Sequence, residues 1–476
     1  MRSSAWAVLG FGGSQGLSLL TTIVLARLLT PEDFGLVALT LGILAIAYIA
    51  QESGLFAALI VHRGEIRPAA ASVLVLSPFV SIGLYLLCFA TAPILANLLD
   101  APRLTDVFRV TAVVLVLRGL ALMPIALLQR DLRFRPLTAI ELSGAVAQSA
   151  TAVVLAGSGA GVWSLVAGQL ALGAAQLVLA WWLAPFRPSP FEARRVVLLE
   201  LMRFGRFVGA ANFLSFANSS SEEIVIGRVL GTFTLGYFSL AKRIAALPVQ
   251  VVGNILGRGV FAALARLQDD AEGFRRVWLE NIQRLALLSI PAVLAILIAA
   301  EPIVLALFGD KWRPAIVPLQ ILALGGVVRS FSTTSGEVFQ ALGRPQLRVY
   351  AESAHLALIV PALIAGAHWQ GLRGAATAIV LVNVTVGVPV LWTITRVLGV
   401  TGRQLVLSVM PAAVGWTLLA VTLLSLRLLV EGLPALLQLL VLLAGGGAVY
   451  AAATAIFARE IVATMWRSLR GARITS

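Results

Sequence analysis

This chain is short of charge, cysteine and histidine, and each shortage excludes something. Asp, Glu, Lys and Arg make up 12% of its 476 residues, against about 25% in soluble domains. With a mean hydropathy of +0.95, that rules out an ordinary water-soluble domain. The single cysteine, Cys88, rules out an internal disulfide and any cysteine-rich metal site. Three scattered histidines, His62, His355 and His368, lack the spacing of a metal centre. No phosphate-binding glycine loop occurs in a strand-then-helix setting, so neither ATP hydrolysis nor a bound cofactor is expected. "GGSQG", Gly12 to Gly16, matches G-x-S-x-G, but it lies in an apolar run. Small residues there serve close helix packing, and no catalytic residue is expected.

What the chain has in quantity is long apolar runs. A membrane-crossing helix needs roughly 20 apolar residues, and 59% of this sequence is hydrophobic. The runs place helices at 5–29, 34–61, 70–91, 106–128, 137–157, 162–184, 204–230, 236–263, 277–300, 315–341, 349–367, 371–397, 405–429 and 434–457. The expected fold is an all-α polytopic membrane protein of about 14 transmembrane helices. The apolar run from Ala5 to Leu29 is too long for a signal-peptide core and reads as an uncleaved first span.

A net charge of +14 would suggest nucleic acid in a soluble protein. Here the arginines fall in alternate connections, such as "HRGEIRP", "QRDLRFRP", "GRPQLR" and the tail from Arg459. Most of the other connections, "TPEDFG", "SGAG", "GTFTLG" and "VEGLPA", carry almost none, while "DAPRLTDVFR" and "FGDKWRP" mix both signs. That is the positive-inside pattern. It puts both termini in the cytoplasm, and no nucleic-acid partner is expected.

The sequence is also written twice. Ile23, Val24, Arg27, Leu29 and Gly35 recur as Ile224, Val225, Arg228, Leu230 and Gly236, at a constant offset of 201. "PILANLLD" at Pro93 resembles "PIVLALFGD" at Pro302, while Arg118, Gln129 and Glu141 match Arg329, Gln340 and Glu352 at an offset of 211. Helices one to six thus reappear as seven to twelve. Six is even, so the copies are parallel repeats, with the substrate expected in a central cavity between them. The expected division is an N-lobe at 1–184, a cytoplasmic linker at 185–203, a C-lobe at 204–398, two further helices at 399–458 and a basic tail at 459–476.

A charge at the bilayer centre costs about 2.5–3.5 kcal/mol by insertion scales, so such a group faces a protein interior or a watery cavity. Arg118 and Arg329 lie near the middle of their spans. Lys242 and Arg243 lie some seven residues inside helix eight, and Arg27 and Arg228 near the outer ends of helices one and seven. These six form a candidate cationic lumen, in which arginine's planar fork suits phosphate. The alternative for Arg27 and Arg228 is interfacial anchoring. Glu52, Glu222 and Glu337 are candidates for neutralising those cations or for coupling to an ion. Glu141 and Glu352 read as first-turn acids that favour the helix dipole.

The stretches "LARLLTPEDFGLVAL", "ESGLFAALI", "LLQRDLRFRPL", "GVWSLVAGQL" and "IGRVLGTFTLGYFSLAKRIAALPVQ" resemble the Wzx-type polysaccharide flippases. Those belong to the polysaccharide transporter family of the multidrug/oligosaccharidyl-lipid/polysaccharide exporter superfamily. The resemblance spans nearly the whole chain. It implies a bacterial inner-membrane flippase that moves undecaprenyl-diphosphate-linked oligosaccharides outward by alternating access through a cationic cavity. The pathway it implies is lipopolysaccharide, O-antigen, capsule or exopolysaccharide biosynthesis. Membrane lipids, H+ or Na+ as coupling ion, and a polysaccharide polymerase with its co-polymerase are the partners it suggests. By that resemblance Arg27 and Arg243 match usually basic positions and Glu222 a usually acidic one. Glu223 stands where a basic or polar residue is expected. The alternative of a drug exporter of the same superfamily would favour an acidic, aromatic-lined cavity, against which the excess of intramembrane arginine argues. An O-antigen polymerase or ligase would need a large outer loop, for which no outer connection is long enough.

Overall fold

The computed structural model describes the backbone from Arg2 to Phe457 and at Arg459, apart from residues 63, 266, 268–269, 333–334, 343, 345 and 458. Within it, the side chains of 2–11, 50, 52–55, 57, 61, 200, 203–213, 215–216, 219, 251–263, 265, 332, 336–337 and 340 are not described. Among the described residues the fold is all-α, without a strand. The helices are α1 (Arg2–Leu28), α2 (Pro31–Val61), α3 (Ile66–Leu98), α4 (Leu104–Thr111), α5 (Val113–Arg130), α6 (Phe134–Gly157) and α7 (Val162–Leu183). They continue as α8 (Arg195–Ala265), α9 (Ala271–Leu307), α10 (Ile316–Ser332), α11 (Ser335–Ala341), α12 (Gln346–Val397), α13 (Gly402–Leu429) and α14 (Ala435–Phe457).

Eleven of the described helical stretches are long and apolar enough to cross a membrane. Two of them contain a break and so hold two of the expected helices each. α8 is interrupted at Gly231 (φ 81°, ψ 165°), and α12 at Gln370 and Gly371 (φ 58°, ψ −133° at the glycine). The break in α8 is shorter than the sequence suggested. "GTFTLG" reads as a loop of several residues, yet one residue in a left-handed backbone turns the chain, and glycine adopts that region freely. Conversely, the expected helix 106–128 is made of α4 and α5, joined through the turn at Ala112. α6 and α12 begin at Phe134 and Gln346, so Glu141 and Glu352 lie beyond the first turn where they were expected. Pro136 is tolerated there because the first-turn amides have no intrahelical acceptor to lose.

The chain divides into two compact units, Met1–Gly236 and Tyr237–Ser476. In the first unit α6 packs on α1 and α7, while α5 packs on α2, α3 and α7. In the second, α9 packs on α10, α13 and α14, and α10 on α12. Each unit carries an equivalent apolar cluster. In unit 1, Leu59 of α2, Ala69 and Val73 of α3, and Met123 and Leu127 of α5 are buried together. In unit 2, Leu264 of α8, Phe274 and Trp278 of α9, and Val338 and Phe339 of α11 form the counterpart. Outward faces of the spans carry exposed Phe79, Val154, Val178 and Leu429, a pattern that lipid, not water, satisfies.

Backbone geometry repeats as the sequence does. Gly161 before α7 (φ 56°, ψ −133°) and Gly371 within α12 (φ 58°, ψ −133°), offset by 210, share one conformation that L side chains rarely adopt. Pro93 and Pro302 lie inside the closing turns of α3 and α9. The turns that follow place Asp100 (φ 50°) and Gly309 (φ 94°) at positive φ, at an offset of 209. Asp is one of the few residues that tolerates this region.

Candidate functional site

Within unit 1, α2 and the first half of α8 approach each other closely. A β-carbon on Gly42 would meet that of Glu223 at 3.1 Å, and one on Gly227 would meet Leu39 at 2.9 Å. At the corner the contact is reciprocal. A β-carbon on Gly35 would lie 1.7 Å from the Thr232 carbonyl oxygen, and one on Gly236 would lie 1.8 Å from the Pro31 carbonyl oxygen. Gly35 and Gly236 are repeat equivalents, as are Pro31 and Thr232. The two copies of the opening phrase therefore meet each other across a local two-fold relation, and each glycine leaves room for the other copy's backbone. Alongside this seam, Asn218, Ser220 and Glu222 of α8 are buried.

Arg118 lies twelve residues before the end of α5, about 18 Å at 1.5 Å per residue, whereas Arg329, expected near the middle of its span, stands in the last turn of the described α10. Arg118 is half-buried, with its guanidinium carbon 4.5 Å from the centroid of the Tyr48 ring, a cation–π geometry. One turn along α2 from Tyr48, the Gln51 carboxamide donates to Ser81 Oγ at 2.7 Å and to the Leu115 carbonyl at 2.7 Å. Gly119 makes this crossing possible, since a β-carbon there would lie 1.7 Å from Ser81 Oγ. Tyr48, Gln51 and Ser81 were not singled out in the sequence. Their signal was available in the i, i+3 spacing of Tyr48 and Gln51, which puts both on one face of α2.

Arg329 is exposed on α10. In unit 2, Lys242 is half-buried with its ammonium 5.8 Å from the Phe238 ring centroid, and Arg243 beside it is exposed. Because the helix resumes at Thr232, directly after the Gly231 break, both stand about 15–18 Å from that break, deeper than the ~10 Å expected. Arg27 is exposed in the last turn of α1. Arg228 is exposed too, and it is ion-paired with Asp100 at 2.8 Å, near the α3–α4 turn. The side chains of Glu52 and Glu337 lie outside the described residues. Among the described residues no cluster of His, Cys, Asp or Glu could hold a metal ion.

Two further features of unit 2 escaped the sequence reading. Asn281 of α9 is fully buried, and neither atom of its carboxamide has a hydrogen-bond partner among the described residues. An apolar pocket of about 390 Å3 opens between α9, α10, α12 and α13, lined by Ile282, Phe331, Leu391, Met410 and Trp416 among others. Such a lining accepts hydrocarbon and offers nothing to a charged head group.

A sequence profile described as polysaccharide biosynthesis protein matches residues 24–317. The lipopolysaccharide biosynthesis protein WzxC of Escherichia coli (strain K12) is 26% identical over 397 residues, 83% of this chain and 80% of that protein. The succinoglycan biosynthesis transport protein ExoT of Rhizobium meliloti (strain 1021) is 30% identical over 335 residues, 70% of this chain and 67% of that one. Among solved structures, the lipid II flippase MurJ in an inward closed conformation superposes with a TM-score of 0.76 at 12% identity. That match covers 95% of this chain and 99% of MurJ, and it bears on the fold alone. The matched profile spans more than half of the sequence, and the chain belongs to the polysaccharide biosynthesis protein family.

Proposed function

We infer that the protein is a flippase for lipid-linked oligosaccharides in bacterial polysaccharide synthesis. Its substrate is an undecaprenyl diphosphate bearing a glycan repeat unit, carried from the cytoplasmic to the periplasmic leaflet by alternating access. The observation that carries this reading is the exposure of Arg243 well inside a membrane-crossing helix of a chain from this family, with a second exposed arginine, Arg329, in the last turn of α10. An exposed guanidinium at that depth faces either lipid, at a cost of about 2.5–3.5 kcal/mol or more, or an aqueous cavity. The cavity is the cheaper answer, and a diphosphate is the passenger that two forked cations suit.

In this reading Arg118, Lys242, Arg243 and Arg329 hold the diphosphate, and Tyr48 presents the Arg118 fork. Arg27 and Arg228 belong to the outer rim, where the Asp100 pair supports an anchoring role for Arg228. Glu222, with Glu52 and Glu337, is assigned to charge balance or to coupling with H+ or Na+. Both termini face the cytoplasm, and a polymerase with its co-polymerase receives the product.

The test is complementation of a flippase-null strain with wild type, Arg243→Ala, Arg329→Ala and Arg118→Ala at matched membrane levels. Wild type restores surface polysaccharide, and each variant lowers it at least tenfold. Variants that export as well as wild type would remove the arginines from the site. A wild type that restores nothing but confers resistance to cationic drugs would replace the reading with drug export.

A further inference from the structure

The stretch between α7 and the membrane-crossing part of α8, expected as a plain linker, is folded against unit 1. A short turn at Pro190–Glu192 is fixed by Ser189, whose backbone N–H donates to Glu192 Oε1 at 3.3 Å. Glu192 also faces Arg67 at 3.9 Å, and Arg194 pairs with Glu65 at 3.3 Å. α8 then begins at Arg195, nine residues before its expected start. Its Leu201 is buried, and Val197 packs against the same cluster as Ala69, Val73 and Leu127.

The opposite side of these first two turns is also apolar, and it is bare. Val196, Leu199 and Met202 are 78%, 55% and 48% exposed, and Phe191 just before them is 98% exposed. Residues 196, 199 and 202 follow the i, i+3 spacing of one helix face, away from the face of 197 and 201. A helix apolar on both sides must be covered on both sides. Arg187 and Arg195 flank the bare face, are exposed, and form no ion pair among the described residues. The segment rests on the ends of α2, α3 and α5 and follows directly on Trp182, a 74%-exposed tryptophan at the end of α7. Tryptophan at a span's end marks the level of the lipid head groups.

We propose that residues 187–202 form a seat on the anionic lipid surface: Phe191, Val196, Leu199 and Met202 enter the acyl boundary, and Arg187 and Arg195 bind phospholipid phosphates. Apolar residues beside arginines are the composition by which an interfacial helix holds to anionic lipid. Arg67 and Arg194, already held by glutamates, position the segment instead of binding lipid. The inference is independent of what the protein carries.

The full chain with Cys88→Ser, carrying one added cysteine (Phe191→Cys, Val196→Cys or, as control, Ala193→Cys), is labelled with an environment-sensitive fluorophore. It is placed in nanodiscs of phosphatidylcholine, with or without phosphatidylglycerol. At 191 and 196 emission shifts to the blue and head-group-level spin-labelled lipid quenches it, with quenching rising at least twofold when phosphatidylglycerol is present. Arg187→Gln with Arg195→Gln abolishes that rise while elution on size exclusion stays unchanged. Three outcomes overturn the proposal: quenching by aqueous iodide in both lipids, lipid quenching that ignores phosphatidylglycerol, or shielding from both quenchers, which would mean a protein covers the face.

Discussion

Replacing Gly35 with alanine would place a methyl carbon 1.7 Å from the Thr232 carbonyl oxygen, 2.7 Å from its carbon and 2.9 Å from the Gly236 nitrogen. All three atoms are backbone, so no side chain can swing aside. An ordinary contact at about 3.4 Å requires the two corners to part by roughly 1.7 Å, and overpacking of this kind costs about 1–3 kcal/mol. Gly236→Ala meets the Pro31 carbonyl oxygen at 1.8 Å and should cost the same. A unit of this size loses about 2–4 °C in Tm per kcal/mol, which sets each single variant about 2–12 °C below wild type. The reciprocal geometry adds a sharper expectation: once one methyl has parted the corners, the second enters space already opened. The double variant should fall short of the sum of the singles by at least about 1 kcal/mol. Thermal unfolding in detergent of the wild type, both singles and the double measures this. Strict additivity, or a single variant as stable as wild type, would refute a shared contact.

Gly119→Ala drives a methyl into Ser81 Oγ and breaks the buried Gln51–Ser81 hydrogen bond; a loss of about 1–3 kcal/mol is expected, read as a lower Tm. Thr30→Ala removes a helix N-cap whose hydroxyl accepts the Asp33 N–H, at a cost of about 1 kcal/mol. Asp100→Asn removes the exposed Arg228 pair but keeps a residue suited to positive φ. Its Tm should move by no more than the ~1 kcal/mol such pairs contribute, and a fall beyond 5 °C would show that the pair holds more than itself. Asn281→Leu relieves an unsatisfied buried carboxamide, so Tm should hold or rise; a large loss would mean that an unseen group satisfies it.

Helix positions were legible in the sequence because a membrane helix must bury its own backbone polar groups and needs a long apolar run to do so. Breaks were less legible. One glycine can reverse a chain, so "GTFTLG" concealed a single-residue turn at Gly231, and the α4–α5 turn at Ala112 has no breaker residue at all. The repeat was readable from offsets, but its physical cause was not: that Gly35 and Gly236 press on each other's corners depends on tertiary approach. Within the site, charges stood out because charge is rare here. Tyr48 and Gln51 did not, since an uncharged polar residue in a span looks like its neighbours until a partner appears.

The duplicated corner is held by two different means. In the first copy Thr30 sits in extended geometry (φ −87°, ψ 158°), Pro31 opens the helix, and Asp33 locks back onto the Thr30 N–H at 3.0 Å. In the second copy the same place is Gly231, with no side chain to fasten it. Proline and a cap lower the entropy of a turn before it forms, and glycine raises it. The first corner is therefore a fixed post and the second a loose leaf, so two segments that began as duplicates need not yield together. Gene duplication supplied the symmetry, and three substitutions around one turn are enough to give a paired joint a side that moves first.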